Sequence, residues 1–106
     1  MNIDISKGKH RDKQLDRAAE ILKVLGHPVR LRIVISLLHD DCNVKRIWQK
    51  LELPQATISQ HLAQLKAKGI VESRRDGVKM CYSVCDELAE RLVRSMISGC
   101  NKRSEK

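Results

Sequence analysis

Aromatic side chains are almost missing from this 106-residue chain, which has Trp48, Tyr82 and no Phe. Reading of single strands by base stacking needs a platform of aromatic rings, so that mode is excluded. Long apolar runs are missing too. The longest, over 33–38, is broken by Ser36 and falls far short of the ~20 residues that span a bilayer. The N-terminus is charged and has no apolar signal core. The sequence has no CxxC or HExxH pattern, no Gly-rich phosphate loop and no GxSxG elbow, so none of the usual catalytic motifs supports an enzyme. The chain therefore reads as a cytoplasmic protein that neither enters a membrane nor catalyses a reaction, and its four cysteines are expected to be reduced.

What the chain has in excess is positive charge. It carries 21 Lys and Arg against 13 Asp and Glu, a formal +8, with a sequence pI near 9.6. A two-fold dimer doubles that to +16, a balance suited to a polyanion. At this length the chain makes one small domain with a modest core, and a partner subunit covering apolar surface would stabilise it.

Hydrophobic spacing predicts five helices and a hairpin. Residues 1–13 form a flexible basic arm. A first helix over 15–25 shows Leu15, Ala18, Ala19, Leu22 and Leu25, and Gly26 ends it. Pro28 suits the first turn of a second helix over 28–39, with Leu31, Val34, Ile35 and Leu38 on its buried face. Val44, Ile47, Trp48 and Leu51 mark a third, core-facing helix. Pro54 disfavours helical geometry at Leu53 and makes the break. A fourth helix over 55–68 buries Ile58, Leu62 and Leu65 and stops at Gly69. Strands are expected over 70–73 and 78–84, joined by Arg74-Arg-Asp-Gly77, in which Asp-Gly is a strong hairpin signal. Asp86 and Glu87 start a fifth helix ending near Gly99. Its stripe of Leu88, Leu92 and Met96, flanked by Ala89, Val93 and Ile97, is wider than one small domain needs. It is assigned to dimerisation with the first helix. Residues 14–100 thus form the domain and 101–106 a charged tail.

The expected fold class is mainly α with a small β-hairpin, a winged helix-turn-helix of order helix-helix-helix-helix-strand-strand-helix. Such a unit grips duplex DNA. With the apolar triad inward, the fourth helix presents Ala56, Thr57, Gln60, Ala63, Gln64 and Ala67, with Ser59 and His61 at the margins. Gln, Ser and Thr exchange hydrogen bonds with base edges and phosphates, and the alanines let the helix approach the groove floor. The candidate contacts are Gln55, Ala56, Thr57, Ser59, Gln60, His61 and Gln64, together with Arg74, Arg75 and Lys79 of the hairpin. Lys45, Arg46 and Lys50 are candidates for backbone contacts.

Three segments carry a family resemblance: Leu25-Gly-His-Pro-Val-Arg-Leu-Arg-Ile33, Leu53-Pro-Gln-Ala-Thr-Ile-Ser-Gln-His-Leu62, and Gly69-Ile-Val-Glu-Ser-Arg-Arg-Asp-Gly77 leading to Tyr82-Ser-Val84. In this order and spacing the chain resembles the ArsR/SmtB winged-helix repressors. The resemblance implies a homodimer that binds an inverted-repeat operator on double-stranded DNA. It also implies release on sensing a metal, a metalloid or an oxidising sulfur species. His27 and His61 fall within the framework motifs, where packing, capping or DNA contact is expected of them.

The candidate sensing residues are Cys42, Cys81, Cys85 and Cys100. The last helix has no histidine, a departure from members that sense zinc or cobalt there. The segment matching the Cys-Val-Cys of soft-metal sensors is Asn43-Val44-Lys45, with only Cys42 beside it. A persulfide-sensing pattern is half present: Cys100 fits its distal position, while Ile35 stands near the proximal one. Cys81 and Cys85 in a continuous strand would be about 13 Å apart, too far for both to hold one ion. Two readings remain open. In one, a thiolate-bound soft metal or metalloid such as arsenite, or a cysteine redox switch, releases the repressor. In the other, a constitutive DNA-binding or architectural protein carries inert cysteines.

Overall fold

The computed structural model describes residues 13–39, 49 and 51–104, with side chains through residue 98. Among the described residues the elements are α1 (Lys13–Leu25), α2 (Pro28–His39), α3 (Gln55–Ala67), β1 (Val71–Asp76), β2 (Lys79–Val84) and α4 (Glu87–Ser104). The helix expected around 44–51 lies outside them, except that Gln49 and Leu51 are helical. The readings placed on Cys42, Lys45, Arg46, Trp48 and Lys50 lie outside them as well, and so does the side chain of Cys100.

The punctuation residues act as their chemistry dictates. Pro28 opens α2, and the imidazole Nδ1 of His27 accepts the Val29 N–H at 3.1 Å, doing the work of an N-cap side chain. Arg30 reaches back from α2 and donates Nη1 to the Val24 carbonyl near the end of α1 at 3.3 Å, where a cation is favoured. Gly69 has φ 75° and stops α3. Around it the Ile70 N–H bonds the Leu65 carbonyl and the Gly69 N–H bonds the Lys66 carbonyl, each at 3.0 Å. That is a Schellman cap, and its apolar pair, Leu65 and Ile70, is fully buried. Asp86 caps α4 by accepting the Ala89 N–H on Oδ1 at 2.9 Å.

One apolar core joins all these elements. Ile21, Ile33, Val34, Leu37, Ile58, Leu62, Leu65, Ile70, Val71, Ala89 and Val93 form its fully buried centre, and Leu51, Leu53, Tyr82 and Val84 pack against it. The strands pair antiparallel, from Val71 with Val84 to Asp76 with Lys79.

Several boundaries differ from the expectations. Lys13 already belongs to α1. That helix buries Ala18, Ile21, Val24 and Leu25, while Leu15, Ala19 and Leu22 stay exposed. The helix therefore has two apolar stripes, and only one faces its own core. In α2 the fully buried residues are Ile33, Val34 and Leu37, with Leu31, Ile35 and Leu38 flanking them, because neighbours surround this apolar helix on more than one side. The second helix ends at His39 as expected. Arg74, Arg75 and Asp76 are strand residues, not turn residues, and the two-residue turn is Gly77-Val78. Gly77 takes φ 66°, as the first central residue of a type II′ turn requires. Finally, α4 runs past Gly99 to Ser104.

Candidate nucleic-acid interface

Burial of Ile58, Leu62 and Leu65 fixes the rotation of α3 about its axis. Gln55, Ala56, Ser59, Gln60, Ala63, Gln64 and Ala67 are consequently exposed together, with Thr57 half-buried at the margin. Amide and hydroxyl groups at this spacing can reach base edges, and the three small alanines between them lower the steric barrier to close approach. The helix begins after Pro54, which supplies no side-chain cap. The first N–H groups of any helix lack intrahelical partners, and a phosphate satisfies them well.

His61 is placed differently from the other residues of that face. It is half-buried, its ring centroid is 4.6 Å from that of His27, and its Nδ1 accepts from Arg30 Nε at 3.3 Å. Burial, then the neighbouring His27 and Arg30 cation, hold its pKa below the ordinary 6.5. The His-Pro-Val-Arg segment thus caps α2, caps α1 and seats His61 of α3.

The hairpin projects from the same core. Its root is buried through Val71 and Cys81, whereas residues 74–80 are all exposed, including Arg74, Arg75 and Lys79. Across the ladder Arg74 lies opposite Cys81 and Arg75 opposite Met80. A residue that sequence reasoning missed links the two candidate surfaces: Lys66 of α3 donates Nζ to Ser73 Oγ of β1 at 2.6 Å. Seven residues and a helix end separate this pair, so no local periodicity signals it.

The structure gives the candidate thiols Cys81, in β2, and Cys85, just after it, different surroundings. Cys81 is buried at the hairpin root, and Cys85 is exposed where α4 begins. The Cys85 thiol donates to the Gly69 carbonyl at 3.4 Å. Burial, then Glu72 and Asp86, raise its pKa above the ordinary thiol value. Among the described residues no helix is long and apolar enough to cross a membrane.

A buried-triad helix with a polar outer face, seated beside a cationic hairpin, defines a winged helix-turn-helix DNA-binding protein. A profile described as bacterial regulatory protein, arsR family, matches residues 27–73. The transcriptional repressor PagR of Bacillus anthracis is 40% identical over 81 residues, covering 76% of this chain and 81% of that protein. The PagR crystal structure superposes with a TM-score of 0.70 at 38% identity, covering 78% and 95% of the two chains. The repressor BigR of Xylella fastidiosa superposes with a TM-score of 0.74 at 34% identity, covering 85% and 90%. A homodimeric winged helix-turn-helix DNA-binding domain from Mycobacterium bovis superposes at 0.73 and 27% identity, covering 99% and 94%. The chain belongs to the arsR family of bacterial regulatory proteins. It is a DNA-binding transcriptional repressor by family, not an enzyme.

Proposed function

We propose that this protein is a cytoplasmic homodimeric repressor that reads an inverted-repeat operator, with α3 of each subunit in a major groove and each hairpin on the flanking backbone or minor groove. The observation that carries this reading is the shared exposure of Ser59, Gln60 and Gln64 on α3 beside Arg74, Arg75 and Lys79. The homodimer is supported by the second apolar stripe of α1, Leu15 and Leu22, and by exposed Met96 on α4. A monomer would leave this apolar surface in water. Selection of duplexes from a random library, followed by affinity measured across salt concentrations, tests the reading. An inverted repeat with half-sites about 34–36 Å apart should emerge, and affinity should fall steeply with salt, at a slope near −0.9 per phosphate contact. Monomeric protein with no preferred duplex overturns it.

The thiol response, as part of the same proposal, rests on Cys42 and Cys100. Supporting this is the state of the other two: Cys81 is buried, and Cys85 is hydrogen-bonded with its thiolate disfavoured. Only the thiolate attacks or ligates. Arsenite or a polysulfide should release operator from the wild type and from Cys81→Ser and Cys85→Ser, but not from Cys42→Ser or Cys100→Ser. Binding that none of these reagents alters, in any variant, favours the constitutive regulator instead.

A further inference from the structure

The end of α3, the start of β1 and the start of α4 meet in a single joint. The Ile70 carbonyl accepts the N–H of Cys85 at 2.9 Å and of Asp86 at 3.3 Å, directly after Ile70 has closed the α3 cap on Leu65. Arg17 of α1 reaches into this joint. Its Nη2 donates to Asp86 Oδ2 at 2.7 Å while its Nη1 donates to Glu20 Oε1 at 2.9 Å. Glu20 in turn pairs through Oε2 with Lys68 Nζ at 3.4 Å, at the C-terminal end of α3. The other Asp86 oxygen caps α4. A Cβ added at Gly69 would stand 3.4 Å from the same Arg17 nitrogen. The Arg17 guanidinium therefore ties α1 to the cap of α4, and its helix neighbour Glu20 ties α1 to Lys68, the C-cap of the DNA-reading helix.

We infer that Arg17 is a positioning residue for operator reading: it sets the angle between α3 and the α1–α4 pair, and with it the distance and rotation between the two reading helices of a dimer. This rests on the homodimeric repressor reading above. Arg17 lies on α1, and the carboxylates it bonds, Glu20 and Asp86, are not candidate base-reading residues. The Glu20–Lys68 pair is exposed and adds little to stability, whereas the Arg17–Asp86 pair is part-buried and joins two elements 69 residues apart, so its consequence includes where those elements sit. Arginine suits the task because its planar fork holds two carboxylates at once, whereas a lysine offers a single point charge. The two carboxylates sit on different elements, Glu20 on α1 and Asp86 at the start of α4, so neutralising the guanidinium cuts the tie from α1 to the α4 cap and leaves α1 held to the end of α3 only by the exposed Glu20–Lys68 pair.

The test uses full-length wild type, Arg17→Gln and Arg17→Lys. The probe is the inverted repeat that wild type selects from random duplexes, remade with its half-sites moved together or apart by one base pair. Each step changes the separation by ~3.4 Å and the rotation by about a tenth of a turn. Wild type should show one sharp optimum. Arg17→Gln should lose roughly tenfold at that optimum while its spacing profile flattens or shifts, and its salt slope should match wild type because no phosphate contact is lost. Arg17→Lys should recover part of the optimum. A wild-type spacing profile in Arg17→Gln, with affinity scaled down uniformly or not at all, overturns the inference. If Arg17→Gln fails to fold, Glu20→Gln and Lys68→Met cut the exposed arm of the network, and the same profile decides. Failure of the underlying reading looks different: wild type itself then selects no duplex, or Arg75→Ala leaves the salt slope unchanged.

Discussion

The root and the tip of the hairpin lie a few residues apart and obey opposite rules. At the root, Val71 and Cys81 are buried, Tyr82 and Val84 pack on the core, and the Ile70 carbonyl is shared by two N–H groups. At the tip, residues 74–80 are all exposed, and Val78, the second turn residue, is fully exposed. The contrast teaches how a small domain aims a charged element. Apolar burial fixes direction at one end, and the other end is exposed to solvent. The α3 helix repeats the division across its diameter, with Ile58, Leu62 and Leu65 inside and Gln60 and Gln64 outside.

Substitutions can break this division, beginning where the effect is greatest. Leu62→Ala should cost about 2–5 kcal/mol, read as a lowered denaturation midpoint with DNA binding lost through unfolding. A fully folded variant would show that α3 is not anchored by its triad. On the opposite side of the same helix, Gln60→Ala should leave stability within ~0.5 kcal/mol and reduce discrimination between operator and mutated sites by ~1–3 kcal/mol. Undiminished discrimination would mean that another face reads the bases. At the tip, Arg75→Ala and Lys79→Ala should each lower the salt slope by about 1 and weaken all duplexes alike. A change confined to one sequence would turn them into base readers.

Glu52 offers a test of the opposite sign. It holds φ 54° in the turn before α3, a left-handed backbone costing a residue with a Cβ roughly 1–2 kcal/mol. Glu52→Gly should therefore stabilise the fold by about 1 kcal/mol once the greater chain entropy of glycine is subtracted. A loss of stability would show that the Glu52 side chain makes a contact worth more than the strain.

The smallest effect is in pH. The folded-state pKa of His61 lies below 6.5 through burial and its His27 and Arg30 neighbours, so the unfolded chain takes up the proton first. Its contribution is full above pH 6.5 and declines as pH falls below it. Two carboxyls act lower. Hydrogen bonds from Arg17 and Lys68 lower Glu20 from 4.5; burial raises Asp86, but bonds from Ala89 and Arg17 outweigh it and leave it below 3.8. Their contributions are present above those ordinary values and fade as pH drops through the folded ones. Thermal melts of His61→Gln should lose the first of these declines and keep the second.

Much of this was legible in the residues. Pro28, Gly69 and Asp86 each mark a helix boundary by chemistry that operates within a few residues. The triad of α3 is a plain 3.6-residue period, so its outer face follows by subtraction. The turn was misread by one residue because Asp-Gly commonly fills both central positions, whereas here Asp76 pairs across the ladder with Lys79 and the turn moves to Gly77-Val78. Leu15 and Leu22 group with Ala18 and Leu25 on one helical spacing, because spacing alone does not say which of two apolar stripes faces inward. Lys66 with Ser73 and Arg17 with Asp86 were invisible, since such pairs depend on where separate elements come to rest.

By itself the sequence determined that this is a basic helical domain with a hairpin, which side of α3 is polar, and where four of its helices begin or end. Those properties follow from local sterics, capping and periodicity, which act over a turn or two of chain. Only the tertiary structure decided that α1 carries a spare apolar stripe, that His61 leans on His27 and Arg30, that Cys85 remains a hydrogen-bonded thiol, and that Arg17 bridges to a residue 69 positions away. Each of these requires elements distant in sequence to pack at one particular angle, and that angle is set by the shared core rather than by any one segment.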